Sequence, residues 1–249
     1  MALSATAVSV GKAAAATQMQ AGTSAASVTP AVRQIPRPTP LISVPASSGA
    51  EATAGAGEGL PCKRVWILGH SYVHWAALRA AARAGGLQLG LLSRRMGIRW
   101  LEKRGMMWSD LPTQVAEARR RWGRPHVIVL HLGGNDVGTM PMGDLASIML
   151  ADIRWLVAQF PGVKIVWSQI ISRNVWRHMS SRKAGFRVKR KLIRDVGKAV
   201  LAAGGKVITH DNIRINSPGL FRRDEVHLSD TGTDLFLHNI RRSLASLCV

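Results

Sequence analysis

The sequence predicts a three-layer α/β/α sandwich on a parallel, doubly wound sheet of about five strands, the flavodoxin-like arrangement, over residues 61–249. Three observations carry this prediction. The short apolar runs RVWILG, HVIVLHL and VKIVWS are nearly continuous rather than alternating, as strands covered on both faces must be. Longer amphipathic stretches separate them, which is the βαβ rhythm of a parallel sheet. All eight Trp and all four Phe lie after residue 61, so the large side chains needed for a core are confined there.

In chain order, Arg64–Gly69 predicts the first strand. Tyr72–Ala84, rich in Ala and Leu and closed by Gly85-Gly86, predicts the first helix. Gln88–Ser93 is expected as a weaker second strand. Ser109–Trp122 predicts a helix with Ser109 as N-cap and Pro112 accommodated in the first turn. His126–Leu132 is the clearest strand, and Asp144–Phe160 a long helix stopped by Pro161-Gly162. Val163–Ser168 and Lys206–Thr209 are expected strands on either side of a basic helix, Gly185–Ala203. Ser229 or Asp230 caps a last helix that runs to about Leu247.

Residues 1–60 read differently. They hold no aromatic residue and are mostly Ala, Ser, Thr, Gly, Pro and Val, so a flexible, disordered tail is expected. The opening MALSATAVSVGKAAAATQMQA has no basic n-region and no run of large apolar residues, which fits a secretory signal poorly. The stretch is Ser-rich and acid-free up to Glu51, as in a mitochondrial transit peptide, but it is poor in Arg. Nowhere does the chain offer the run of about 18 apolar residues that a membrane span needs. Cys62 and Cys248 lack metal-type spacing and suit a reducing, intracellular compartment.

In a doubly wound sheet, chemistry gathers beyond the carboxyl ends of the strands. Ser71 follows the first strand at a strand-to-helix turn, next to the unpaired N–H groups of a helix start. An N-cap role is the plainer reading of that serine taken alone. Gly133-Gly134-Asn135-Asp136 follows the clearest strand, and two glycines let the backbone turn sharply there and bring the Asn135 amide to the rim. Near the C-terminus, Asp224 and His227 stand three apart in DEVHL, close enough for the carboxylate to orient the imidazole as a serine-hydrolase triad requires.

The run ILGHS, the GGND tetrad and the DEVHLSDTG segment resemble, in order, the first, third and fifth blocks of the SGNH hydrolases, also called GDSL-like esterases. The resemblance implies a serine esterase of acetyl or short-acyl type with no cofactor and no metal. Ser71 would be the nucleophile, His227 the base and then the acid, and Asp224 its orienting carboxylate. The oxyanion hole would come from the N–H of Ser71, the Asn135 side chain and a second-block glycine, either Gly105 in RGMMWSDLP or, as runner-up, Gly97. One departure stands out: His70 occupies the place of the family's usual acidic residue before the nucleophile. The wording GHSYVHWA and RGMMW resembles, more narrowly, SGNH-like domains in open reading frames of vertebrate mobile elements, which implies service in a nucleoprotein.

Charge supplies a rival reading. Residues 1–60 account for only +1 of the formal +20, leaving +19 on the remainder. From Arg173 to Arg194 there are nine basic residues and no acid, among them Arg182, Lys183, Arg187, Lys189, Arg190 and Lys191. Such density attracts non-specific nucleic acid or an anionic surface, and Trp176 and Phe186 within it offer rings for stacking on bases or for a core. The rival is a catalytically weak or silent SGNH scaffold acting as a basic nucleic-acid-binding module. The other histidines (His74, His126, His131, His178, His210, His238) show no spacing that assigns them a role.

Overall fold

The computed structural model describes residues 62–91 and 95–247, all within the second of the two units into which the chain divides, Ala56–Val249. The tail expected over residues 1–60 lies outside the described residues, as does Cys248.

Five strands form one parallel sheet: β1 Lys63–Gly69, β2 Met96–Glu102, β3 Val127–His131, β4 Lys164–Ser168 and β5 Lys206–Ile208. Their spatial order is β2-β1-β3-β4-β5. The winding therefore reverses between β1 and β3, the switch point where a crevice opens at the carboxyl edge. Helices α1 Ser71–Ala81 and α5 Asp230–Ala245 cover one face; α2 Leu111–Trp122, α3 Met142–Gln159 and α4 Arg182–Ala202 cover the other.

The alternation of side chains along a strand explains why β1 is apolar at every step from Val65 to Leu68. Val65 and Ile67 enter the α1/α5 core, while Trp66 and Leu68 enter the other, and all four are fully buried. Trp66 meets Phe160 edge-to-face at 5.6 Å. The predicted sandwich is thus the observed one, with a correction at the second strand. Gly86–Gln88 is a single 3₁₀ turn, and β2 comes later, over MGIRWLE. The start of α2 also differs: a 3₁₀ turn over Trp108–Asp110 precedes it, and the Asp110 carboxylate, not Ser109, accepts a backbone N–H, that of Met107 at 2.9 Å. Among the described residues, no helix is long and apolar enough to cross a membrane.

Candidate active site

Ser71 is the first residue of α1, one step past the end of β1. Its Oγ lies 3.0 Å from Nε2 of His227, and Nδ1 of the same ring lies 2.6 Å from Oδ2 of Asp224. The other carboxylate oxygen accepts the backbone N–H groups of Val226 at 2.9 Å and His227 at 2.8 Å. Burial alone would raise this carboxyl, but the His227 ring and the two N–H groups outweigh it and hold Asp224 at about 2. An ionised Asp224 keeps the proton on Nδ1 and leaves the Nε2 lone pair facing Ser71, the tautomer a general base needs.

The cap of α1 is His70, not Ser71. His70 has extended backbone, and its Nδ1 accepts a long hydrogen bond from the Tyr72 N–H at 3.4 Å. The imidazole performs a capping task open to a carboxylate, which leaves the Ser71 hydroxyl turned to His227. Only 2 % exposed, the His70 ring is held uncharged first by burial and then by Arg173 and His227.

The loop carrying Asp224 and His227 is fixed on several sides. An isolated antiparallel bridge, Phe221 to Leu228, closes it. Asn174 donates its N–H to the Glu225 carbonyl at 3.1 Å, and Arg222 donates its N–H to the His227 carbonyl at 2.8 Å. Glu225 adopts φ +55°, a left-handed conformation unusual outside glycine. Tyr72 donates its hydroxyl to the Val226 carbonyl. Burial pushes the Tyr72 phenol up to about 12, against the pull of Arg173, so that hydroxyl keeps its proton.

Asn135 and Gly105 sit on adjoining loops. The Asn135 amide donates one hydrogen to the Met106 carbonyl at 3.1 Å, and Asp136 accepts the Trp108 N–H at 2.9 Å. These two clasps hold the turn around Gly105, which has φ +74° and is exposed. Gly97 is level with Arg64 at the amino end of the sheet, whereas Gly69 is level with Glu102. Five residues of strand, about 17 Å, separate Gly97 from the carboxyl edge, so the runner-up cannot reach Ser71.

Sequence reasoning missed two groups beside Ser71, Asp224 and His227. One is a buried polar chain. His131 Nδ1 and Ser168 Oγ are 2.9 Å apart, Ser168 Oγ and His210 Nε2 2.8 Å, and Asn239 Nδ2 reaches His210 Nδ1 at 3.0 Å and Asn212 at 2.8 Å. His131 in turn stacks on Tyr72 with ring centres 5.4 Å apart. Burial holds His131 well below the usual histidine range and His210 at about 3, with nearby positive groups adding to it. The other is Arg173, buried against Tyr72 and Trp176.

The basic residues of α4 divide. Lys183, Arg187, Lys189 and Arg190, with Phe186 and Arg214, line a separate groove of about 870 Å³ that Ser71, Asn135 and His227 do not border. Lys189 reaches Ser172 Oγ at 2.5 Å. Arg182 instead bonds Asn174 at 2.9 Å, and Lys191 pairs with Asp195 at 2.7 Å. Trp176 is buried edge-to-face on Phe186 and so is not a ring for stacking on bases. Among the described residues, no cluster of three His, Cys, Asp or Glu side chains could hold a metal ion.

The strand order β2-β1-β3-β4-β5 between two helical layers is the fold also found in solved SGNH or GDSL-like hydrolases. Solved structures with that architecture superpose along most of the chain. An acetyl xylan esterase is 18 % identical, with TM-score 0.54, covering 72 % of this chain and 98 % of its own. A psychrotrophic esterase from Pseudoalteromonas sp., solved inhibited by monoethylphosphonate, is 12 % identical, with TM-score 0.53 and coverage of 74 % and 98 %. A GDSL-like lipase from Bacteroides thetaiotaomicron is 14 % identical, with TM-score 0.55 and coverage of 74 % and 89 %. Neither a family model nor a curated protein matches the sequence.

Proposed function

We propose that residues 61–249 are a serine esterase acting on small carboxylic esters of acetyl or short-acyl type. The observation that carries this reading is the unbroken line from Asp224 through His227 to Ser71, at 2.6 and 3.0 Å. Ser71 Oγ attacks the ester carbonyl while His227 Nε2 takes its proton, and the imidazolium is stabilised by Asp224. The negative charge of the tetrahedral intermediate is met by the N–H groups of Ser71 and Gly105 and by the second amide hydrogen of Asn135. Collapse expels the alcohol, which takes the proton from His227 and leaves Ser71 acylated. A water molecule, deprotonated by His227, repeats the attack and releases the acid. The test is a fluorophosphonate probe on the purified chain. Covalent labelling of the wild type and none of Ser71→Ala is expected; an unlabelled, folded wild type overturns the reading.

A second reading rests on the groove of α4. Lys183, Arg187, Lys189, Arg190 and Arg214 converge there with Asp211 as the acid on its lining. We propose that this face takes the phosphate backbone of single-stranded nucleic acid without sequence preference. The two readings occupy different surfaces and are compatible.

A further inference from the structure

Arg173 is the anomaly of the site. It follows β4 in the loop that faces both the triad loop and the GGND turn, and it is 7 % exposed. Its Nε has no hydrogen-bond partner, and no described residue offers the side chain a carboxylate or accepts a hydrogen bond from it. The rings of Tyr72 and Trp176 lie 5.8 and 5.1 Å from its Cζ. A Cβ built on Gly134 would stand 2.2 Å from Nη2 and 3.2 Å from Nε2 of His70. The guanidinium is therefore wedged between the residue after the nucleophile, the cap of its helix, and the glycine immediately before Asn135.

A guanidinium does not shed its proton, so its charge stays wherever the fold puts it. Burying a cation without a counter-ion is costly. The two aromatic faces return part of that cost, yet rings accept none of the five N–H bonds in the way an oxygen does. A side chain that merely propped the GGND turn would do so without charge. What distinguishes this one is an unanswered positive charge at the rim of the acyl-transfer site.

We propose that Arg173 receives an anionic group of the substrate, a carboxylate or a phosphate a few bonds from the reacting carbonyl. This rests on the esterase reading and narrows it: the preferred ester carries a negative charge. The anion supplies the partner the fold withholds, and it orients the carbonyl toward Ser71 and Asn135.

Two matched pairs of esters test the idea. An aryl hemisuccinate against its methyl ester places the charge on the acyl side; acetylsalicylate against its methyl ester places it on the alcohol side. The expected result is a preference of tenfold or more in kcat/KM for the anionic member of one pair, expressed mainly in KM. In Arg173→Met that ratio falls toward one, and in Arg173→Lys it is intermediate. An unchanged ratio in Arg173→Met, or no preference in the wild type, overturns the proposal. Calorimetric titration of wild type and Arg173→Met with succinate and with inorganic phosphate provides a readout without turnover. Weaker binding by Arg173→Met is expected, and equal binding by both proteins overturns the anion site. Fluorophosphonate labelling of the same samples separates the two failures: unlabelled Ser71 removes the esterase reading, whereas labelled Ser71 with no anion preference removes only the role of Arg173.

Discussion

Tyr72, the residue after Ser71, donates its hydroxyl to the carbonyl of Val226, the residue before His227. One side chain thus ties the start of α1 to the loop of His227, 154 residues away in sequence. Tyr72→Phe removes that tie and leaves the ring in place. Stability should fall by about 1 kcal/mol, and kcat should fall about three- to tenfold with little change in KM, because alignment rather than binding is lost. Urea unfolding together with steady-state kinetics on one ester checks both.

Asn135 and Asp224 should fail in different ways. On the proposed mechanism Asn135→Ala removes an oxyanion donor and is expected to cost about 10²–10³ in kcat. Asp224→Asn keeps the shape but releases the tautomer of His227, with an expected loss of about 10²–10⁴, the upper end being that of the same change in a serine-protease triad. Ser71→Ala should lose several orders of magnitude. Turnover equal to wild type in any of the three, with contaminating esterase excluded, removes that residue's assigned role.

The buried histidines set how acid unfolds the domain. His70, His131 and His210 are folded uncharged, with values below the ordinary 6.5 and, for His210, at about 3. Below pH 6.5 the unfolded chain therefore binds protons that the native state refuses, and stability declines as pH falls. Each such ring contributes a slope of up to about 1.4 kcal/mol per pH unit until its folded value is reached. Asp224 acts in the same direction but only below about pH 4, and modestly, because its carboxylate is partly exposed. Urea midpoints at pH 7.5, 6.0 and 5.0 should drop steadily; a flat series would mean the rings are charged when folded.

Gly134→Ala places a methyl group 2.2 Å from Arg173 Nη2. The guanidinium must withdraw, so the anionic-to-neutral ratio in kcat/KM should shrink much as it does in Arg173→Met. The two changes together should do little more than either alone, since they act on one and the same interaction. Full additivity in the double variant would show that Gly134 serves the turn independently of Arg173.

The α4 groove predicts a salt dependence. Fluorescence anisotropy with a single-stranded oligonucleotide should give a steep fall in affinity from low to moderate salt. Replacing Lys183, Arg187 and Arg190 together by Gln should lower the log–log slope by about one for each phosphate that the variant no longer neutralises. A flat salt response would falsify nucleic-acid binding at this face.

Much of this molecule is legible in its sequence, and the parts that are not share a physical cause. β1 and β3 announce themselves because strands covered on both faces carry uninterrupted apolar runs, Val65–Leu68 and Val127–Leu130. β2 hides because it is an edge strand: Arg99 and Glu102 point outward and Gly97 interrupts it, so MGIRWLE looks charged between basic neighbours while the Leu-rich run before it draws the prediction. Asp224 and His227 are readable as a pair because their geometry is local, and Ser71 because a strand end fixes its place. The cap role passing from Ser71 to His70 depends on a rotamer, which no spacing encodes. Arg173 is one of nine basic residues in its stretch, and only its packing against Tyr72, Trp176 and Gly134 distinguishes it. His131, Ser168 and His210 meet across gaps of 37 and 42 residues, and nothing in local sequence relates them.

The buried chain beneath Tyr72 runs in one direction. Asn239 spends its two amide hydrogens on Asn212 and on His210 Nδ1, which puts the His210 proton on Nε2, toward Ser168. Ser168 then gives its own hydrogen to His131 Nδ1, and the His131 proton is left on Nε2. A half-exposed amide on α5 therefore dictates which edge of a sealed imidazole, that of His131, is a donor three side chains further in. Orientation passes inward like a row of aligned compass needles, with no charge transported at any step. Asn239→Asp, which can only accept, would reverse every needle in that row.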